Sequence, residues 1–285
     1  MENNFIHFPI PPLSQYNDAI GGDAKIINPL PPLFAIPTTA GTGSEAGRSS
    51  VITLKDTGKK TIFFHPRLMP DIAVLDPKLT AKLPPHITAA TGIDAFTHCL
   101  EAYLVESFHP MADAIAIEGM KIIVENLPIV MDDSDNLEAR SKMLLAASMG
   151  ATAFQKGLGM IHSMAHPLSA EYNIHHGLAN ALLLKFGMEF TVEKALNLNN
   201  PTLLEKLKNV VKFFSSSATE DITSLSESLH RFIQNLGIQL GLTQHGVTPN
   251  HITNLSQLAF EDSCHITHPF PVTTKDFYTV YTQAL

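Results

Sequence analysis

The chain has 285 residues, 45% of them hydrophobic, which is enough apolar material for one large core or two modest ones and excludes a wholly disordered protein. A formal net charge of −8, from 27 acidic against 19 basic residues with no dense Lys/Arg block, argues against nucleic acid as a partner. With two cysteines (Cys99 and Cys264), no apolar run near the roughly 18 residues of a membrane span and no basic-then-apolar leader in MENNFIHFPIPPL, a cytoplasmic, membrane-independent protein is expected.

Residues 1 to about 32 are rich in Pro, Asn and Gly, carry no sustained period and read as connecting chain. Short apolar or alternating runs follow, LFAI, SSVITL, TIFF and IAVL, and predict strands between Leu33 and Asp76. Between the second and third of these, Asp56-Thr57-Gly58 has the chemistry of a hairpin turn. After Pro84-Pro85 the pattern becomes helical. Helices are predicted over 87–107, 110–127, 136–153, 159–171, 178–196, 202–214, 220–240, 250–260 and 274–284. Met111, Ile115, Met120, Ile122 and Ile123 recur at three- and four-residue steps, as a core-facing stripe does. The expected fold class is thus a small α/β part, residues 1–83, followed by a mainly α-helical domain, residues 84–285.

Residues 37–48 read PTTAGTGSEAGR. The glycines Gly41, Gly43 and Gly47 follow an apolar run, but G-x-G-x-x-x-G leading into a strand is not the G-x-G-x-x-G that opens a dinucleotide-binding helix. A plain glycine loop between strands competes with a cofactor role. Thr38, Thr39, Thr42 and Ser44 nevertheless place hydroxyls beside small residues, which suits the approach of a phosphate or ribose.

Fourteen histidines are a high count for this length, so metal or proton chemistry is worth testing. Asp94 and His98 are four residues apart in GIDAFTHCLEAY, which puts both side chains on one helix face. His162 and His166 repeat that step in an apolar setting, and His176 follows where it can return alongside. Either pair alone would more readily be a solvated face or a helix contact. Of the adjacent His175 and His176, spacing alone does not choose which faces a metal. His7, His65, His86, His109, His230, His245, His251, His265 and His268 have no partner at ligand spacing and are expected at the surface or in local hydrogen bonds.

Taken in order, PTTAGTGSE, LDPKLTAKLPP, AATGIDAFTHCLEAY and FQKGLGMIHSMAHPLSAEYNIHHG resemble the iron-containing (group III) alcohol dehydrogenase family, and AFEDSC fits its last segment. The resemblance runs from about Gln15 to the C-terminus. It implies that Asp94, His98, His162 and His176 are the metal ligands, and that His166 is an unligated histidine beside the substrate, placed to relay a proton. It further implies that Thr38 and Thr39 contact the nucleotide, that Lys60 lies near its ribose and phosphates, and that Phe154 lines the substrate and nicotinamide pocket. The implied fold is the dehydroquinate synthase-like architecture of that family. The family begins with about a hundred further residues of α/β nucleotide-binding domain, including a Gly-Gly-Gly-Ser phosphate loop, so residues 1–83 are expected to be a remnant of that domain. Other departures are His268-Pro269-Phe270 in place of Asn-Pro-Arg, and Ser169 in place of Gly.

What the resemblance implies is reversible oxidation of a small alcohol to an aldehyde or ketone, with Fe²⁺ or Zn²⁺ and NAD or NADP, in a homo-oligomer. The set of one carboxylate and three imidazoles suits either metal. Two other readings stand beside it: a non-catalytic metal-binding remnant, or a fragment that folds against a separate N-terminal piece. A metal-dependent lyase related to dehydroquinate synthase is a further alternative, disfavoured by the HSMAHP and TAGTGSE segments.

Overall fold

A computed structural model of the chain describes residues 12–28, 30–55, 60–214 and 221–285, with the side chain of Lys60 outside that description. Residues 12–28 form short single helical turns rather than any regular element, in keeping with a Pro/Gly-rich segment. Four strands follow: β1 (Phe34–Ala35), β2 (Ser49–Thr53), β3 (Lys60–Phe64) and β4 (Ile72–Ala73). β2 and β3 pair antiparallel, with Ser49 opposite Phe64 and Val51 opposite Ile62, the register that alternating runs joined by a short turn give. The turn itself, expected at Asp56-Thr57-Gly58, lies outside the described residues. β1 and β4 pair in parallel, Phe34 with Ile72 and Ala35 with Ala73. This two-stranded sheet leaves Leu33, Phe34, Ile36, Ile72 and Val74 exposed.

The helical part comprises α1 (Pro85–Leu104), α2 (Pro110–Asp132), α3 (Leu137–Ala153), α4 (Met160–Tyr172), α5 (His176–Leu198), α6 (Pro201–Val211), α7 (Leu225–Asn235), α8 (Ile252–Glu261) and α9 (Thr274–Gln283). Proline at the first helical position starts α1, α2 and α6, where the missing N–H costs nothing. Side-chain caps come from His109 on α2, Asn136 on α3, Asn200 on α6 and a Thr273/Asp276 capping box on α9. Asn173 and Asn199 end α4 and α5 with φ of 54° and 48°, the left-handed conformation that Asn tolerates.

Two helices differ most from their expected lengths, and α1, α5 and α6 shift by two or three residues at their ends. α2 continues five residues beyond 127 to Asp132 with Pro128 inside it, because Leu127 and Val130 are buried on the core side and repay the backbone hydrogen bond lost at the proline. α7 is shorter than 220–240: Asp221 caps a separate turn, Ile222–Ser224, and Gly237 at φ 81° lies just beyond its end.

The core sits around α1, which is buried without interruption from Thr88 to Leu104 and packs against α2, α3 and α5. A helix buried on all sides is one that neighbouring elements surround, and the buried Asp94, His98 and Glu101 on α1 are therefore interior polar groups. Phe96 at its middle meets Phe214 and Phe232 with ring centroids 6.0 and 6.2 Å away. Arg140 is buried beside α1, and its guanidinium donates to the carbonyls of Ser134 and Ala81. Among the described residues no helix is long and apolar enough to cross a membrane.

Candidate metal centre

The glycine loop lies over the first turns of α1. At Gly43 the backbone has φ 64°, and a Cβ there would come 2.3 Å from the Ala147 carbonyl of α3, so only glycine lets the loop settle against that helix. Glu45 is buried and accepts from the Ser148 hydroxyl, which fastens the loop to α3. Thr38 and Thr42 remain exposed and Thr39 half-buried. The loop then runs through a single turn into β2, so it does not open a helix. Gly41 approaches Thr91, three residues ahead of Asp94 on α1.

Asp94 and His98 project from α1 one turn apart. His162 comes from the first turn of α4 and His176 from the first residue of α5. Gly177, next to His176, brings α5 into backbone contact with α1: a Cβ there would lie 2.3 Å from the Ala90 carbonyl. One ligand atom from each of Asp94, His98, His162 and His176 falls within 4.8 Å of all the others. The Nε2 atoms of His98, His162 and His176 lie 4.0, 3.9 and 3.4 Å from Asp94 Oδ1. The rings of His98 and His162 stack at 4.6 Å, and the half-buried Phe154 packs on His98 at 4.9 Å. His175 precedes α5, makes no side-chain hydrogen bond to its first turn and is exposed, so the structure brings His176 rather than His175 to the cluster.

Donors are short in this cluster. Asn180 Nδ2 lies 2.8 Å from Asp94 Oδ1 and 3.3 Å from Nε2 of both His162 and His176, while His98 Nδ1 and Asn180 Oδ1 are buried without a partner. One amide has two hydrogens for three converging acceptors. A divalent cation would supply what is lacking, and one carboxylate with three imidazoles and no thiolate is a donor set that suits Fe²⁺ or Zn²⁺. Burial raises the proton affinity of Asp94, but His98, His176, His162 and the Asn180 hydrogen bond outweigh it, so the carboxyl is held below its ordinary value. Burial also depresses His162 well below the usual imidazole range and His176 to about 4, so both are neutral and able to ligate.

His166 stands on the same face of α4 but at the surface. Its Nδ1 is 2.8 Å from Asp262 Oδ2, and its ring stacks on His176 at 5.2 Å. Asp262 Oδ1 in turn accepts from Ser163 Oγ and from the Cys264 backbone N–H, each at 2.8 Å. Although burial opposes it, the His166 contact and these donors hold the Asp262 carboxyl well below the carboxylate range. Lys60 belongs to β3, and only its backbone is described.

Glu101, Asn180 and Asp262 join the site without having been among the expected residues. Glu101 follows Asp94 by seven residues and Asn180 follows His176 by four, so a same-face search on α1 and α5 would have found both. Asp262 lies 96 residues from His166 and has no local signal. Among the histidines expected in local roles, His65, His109 and His251 do cap helical turns. His268 departs from a surface position: Met160 N–H points at its Nδ1 from 3.4 Å, and its Nε2 is buried without a partner.

Known proteins similar to this chain identify its family. Residues 88–285 match the C-terminal model of the Fe-containing alcohol dehydrogenase family, and residues 9–77 match the iron-containing alcohol dehydrogenase model. The chain is 35% identical over 278 residues to 4-hydroxybutyrate dehydrogenase of Cupriavidus necator, covering 96% of this chain and 71% of that one. It is 37% identical over 263 residues to a probable alcohol dehydrogenase, EutG, of Escherichia coli K12, covering 92% of this chain and 64% of that one. It therefore spans about two thirds of the length of these relatives. A solved structure of 1,3-propanediol oxidoreductase superposes with a TM-score of 0.84 at 31% identity, over 91% of this chain and 68% of that one. By its sequence and its fold, the chain belongs to the iron-containing alcohol dehydrogenase family.

Proposed function

We propose that the chain carries out the reversible, metal-dependent and NAD(P)-linked oxidation of a small alcohol to an aldehyde or ketone. The observation that carries this reading is the convergence of Asp94, His98, His162 and His176 where α1, α4 and α5 meet. These four would hold Fe²⁺ or Zn²⁺. When bound, the cation would acidify the alcohol hydroxyl and the nicotinamide would take up hydride from the substrate carbon.

The chain's own residues do the rest. His166 is exposed, unligated and fixed through Nδ1 by Asp262, so its Nε2 can take the released proton and hand it to water. Phe154 and the buried Met160, Ile161 and Met164 limit water at the inner side. The exposed hydroxyls of Thr38 and Thr42, with Thr39, would meet the nucleotide, and Lys60 would approach its ribose and phosphates. In this reading residues 84–285 form the catalytic domain and residues 1–83 the part of an α/β domain that faces the nucleotide. Two of the three relatives named above are a 4-hydroxybutyrate dehydrogenase and a 1,3-propanediol oxidoreductase, which supports a short-chain alcohol as substrate. A homo-oligomer in the cytoplasm is the assembly and compartment this reading assigns, in keeping with two free cysteines.

The test mixes purified full chain with Fe²⁺ or Zn²⁺, NAD⁺ or NADP⁺ and short alcohols. Formation of reduced nucleotide is the expected result. Metal binding without it would overturn the catalytic reading and leave a metal-binding chain.

A further inference from the structure

Glu101 is a buried carboxylate that the chemistry above does not use. It belongs to α1, three residues after His98, but its partners are on α4. The first N–H groups of a helix have no partner within the helix, and the residue before α4, Gly159, has no side chain to cap them. Glu101 does so from outside: Oε1 accepts the Ile161 N–H at 2.7 Å and Oε2 accepts the His162 N–H at 3.2 Å. Oε2 also lies 2.5 Å from His162 Nδ1. The carboxylate is thus pinned by the backbone of the very turn whose side chain it grips.

We propose that Glu101 is a positioning residue, which fixes the His162 imidazole as the Nδ1–H tautomer and so keeps Nε2 bare and aimed at Asp94, His98 and His176. Three contacts from one carboxylate to two consecutive residues define the ring's rotation as well as its tautomer. An imidazole free to turn about its Cβ–Cγ bond would present Nε2 to the cluster only part of the time. The 3.9 Å between His162 Nε2 and Asp94 Oδ1 is the distance this grip maintains. Carboxylates in this position raise the basicity of a ligating histidine, and their loss weakens metal binding by about 10- to 100-fold.

The proposal rests on the metal reading of the centre, so the experiment separates the two. Zn²⁺ is titrated against a competing chelator into metal-free full chain, as the parent, Glu101→Gln, His162→Ala and the double variant. Glutamine keeps an acceptor for Ile161 and replaces the oxygen that holds His162. Weakening of about 10- to 100-fold in Glu101→Gln is expected. In the His162→Ala background the same change should alter affinity by no more than about twofold, because the ring it acts through is gone. Equal affinity of Glu101→Gln and parent would overturn the proposal, as would an equal loss in both backgrounds, which would leave Glu101 as no more than the cap of α4. A parent chain that takes up no Zn²⁺ overturns the metal reading and the proposal with it. If Glu101→Gln does not fold, nitrogen NMR of the histidine rings in metal-free parent decides: a proton on Nδ1 of His162 is expected, and a proton on Nε2 overturns the proposal.

Discussion

His162 and His166 are one turn apart on α4, yet the first is buried and the second is exposed. That difference divides their chemistry. His162 is kept neutral by burial and faces the carboxylate of Asp94, whereas His166 meets solvent, hydrogen-bonds Asp262 and stacks on His176. His166→Ala is accordingly expected to lower kcat by about 100-fold while leaving Zn²⁺ affinity near that of the parent, as steady-state kinetics and metal titration would read. Asp94→Asn should do the reverse at the first step. It removes the only anion among the four converging groups, and metal affinity should fall by more than about tenfold in the same titration.

α1, α4 and α5 are held in register by close backbone contacts, and the site is only as well formed as those contacts. Gly177→Ala places a methyl against the Ala90 carbonyl, where neither backbone can yield cheaply. A loss of about 1–3 kcal/mol is expected from urea unfolding, together with weaker Zn²⁺ binding, because His176 moves with the first turn of α5. Gly237, near the end of α7 with nothing close to its missing Cβ, gives no such expectation of metal loss. Helix boundaries followed local chemistry in part: the start of α2 at Pro110 was legible in the sequence. The extension of α2 through Pro128 was not, since it depends on the burial of Leu127 and Val130 against other helices.

Across the whole molecule, a cation shared by three helices should bind the folded chain and not the unfolded one, so excess Zn²⁺ at about 100 times its Kd should add about 2.7 kcal/mol to stability. Thermal melts with and without chelator check this. Acid should act in the opposite direction even on metal-free protein. Burial lowers His268 to about 4 from an ordinary 6.5, so the unfolded chain binds more protons between those values. Stability contributed by the neutral ring is complete above pH 6.5 and is lost as pH falls towards 4, by up to about 3 kcal/mol. The urea midpoint of metal-free His268→Asn should therefore depend less steeply on pH in that window than the parent's. The sequence by itself determined the order of strands and helices, the glycine loop and the pairing of Asp94 with His98, because these follow from residue period, turn chemistry and contacts within one turn of chain. Family motifs extended that to His162 and His176. Spacing could have put Glu101 and Asn180 on the ligand faces of α1 and α5, but only the tertiary structure showed that Glu101 bonds His162, Asn180 bonds Asp94 and Asp262 bonds His166, because nothing local records which element will lie alongside. It also left the β1–β4 sheet apolar and exposed, since two strands of two residues bury little surface of their own.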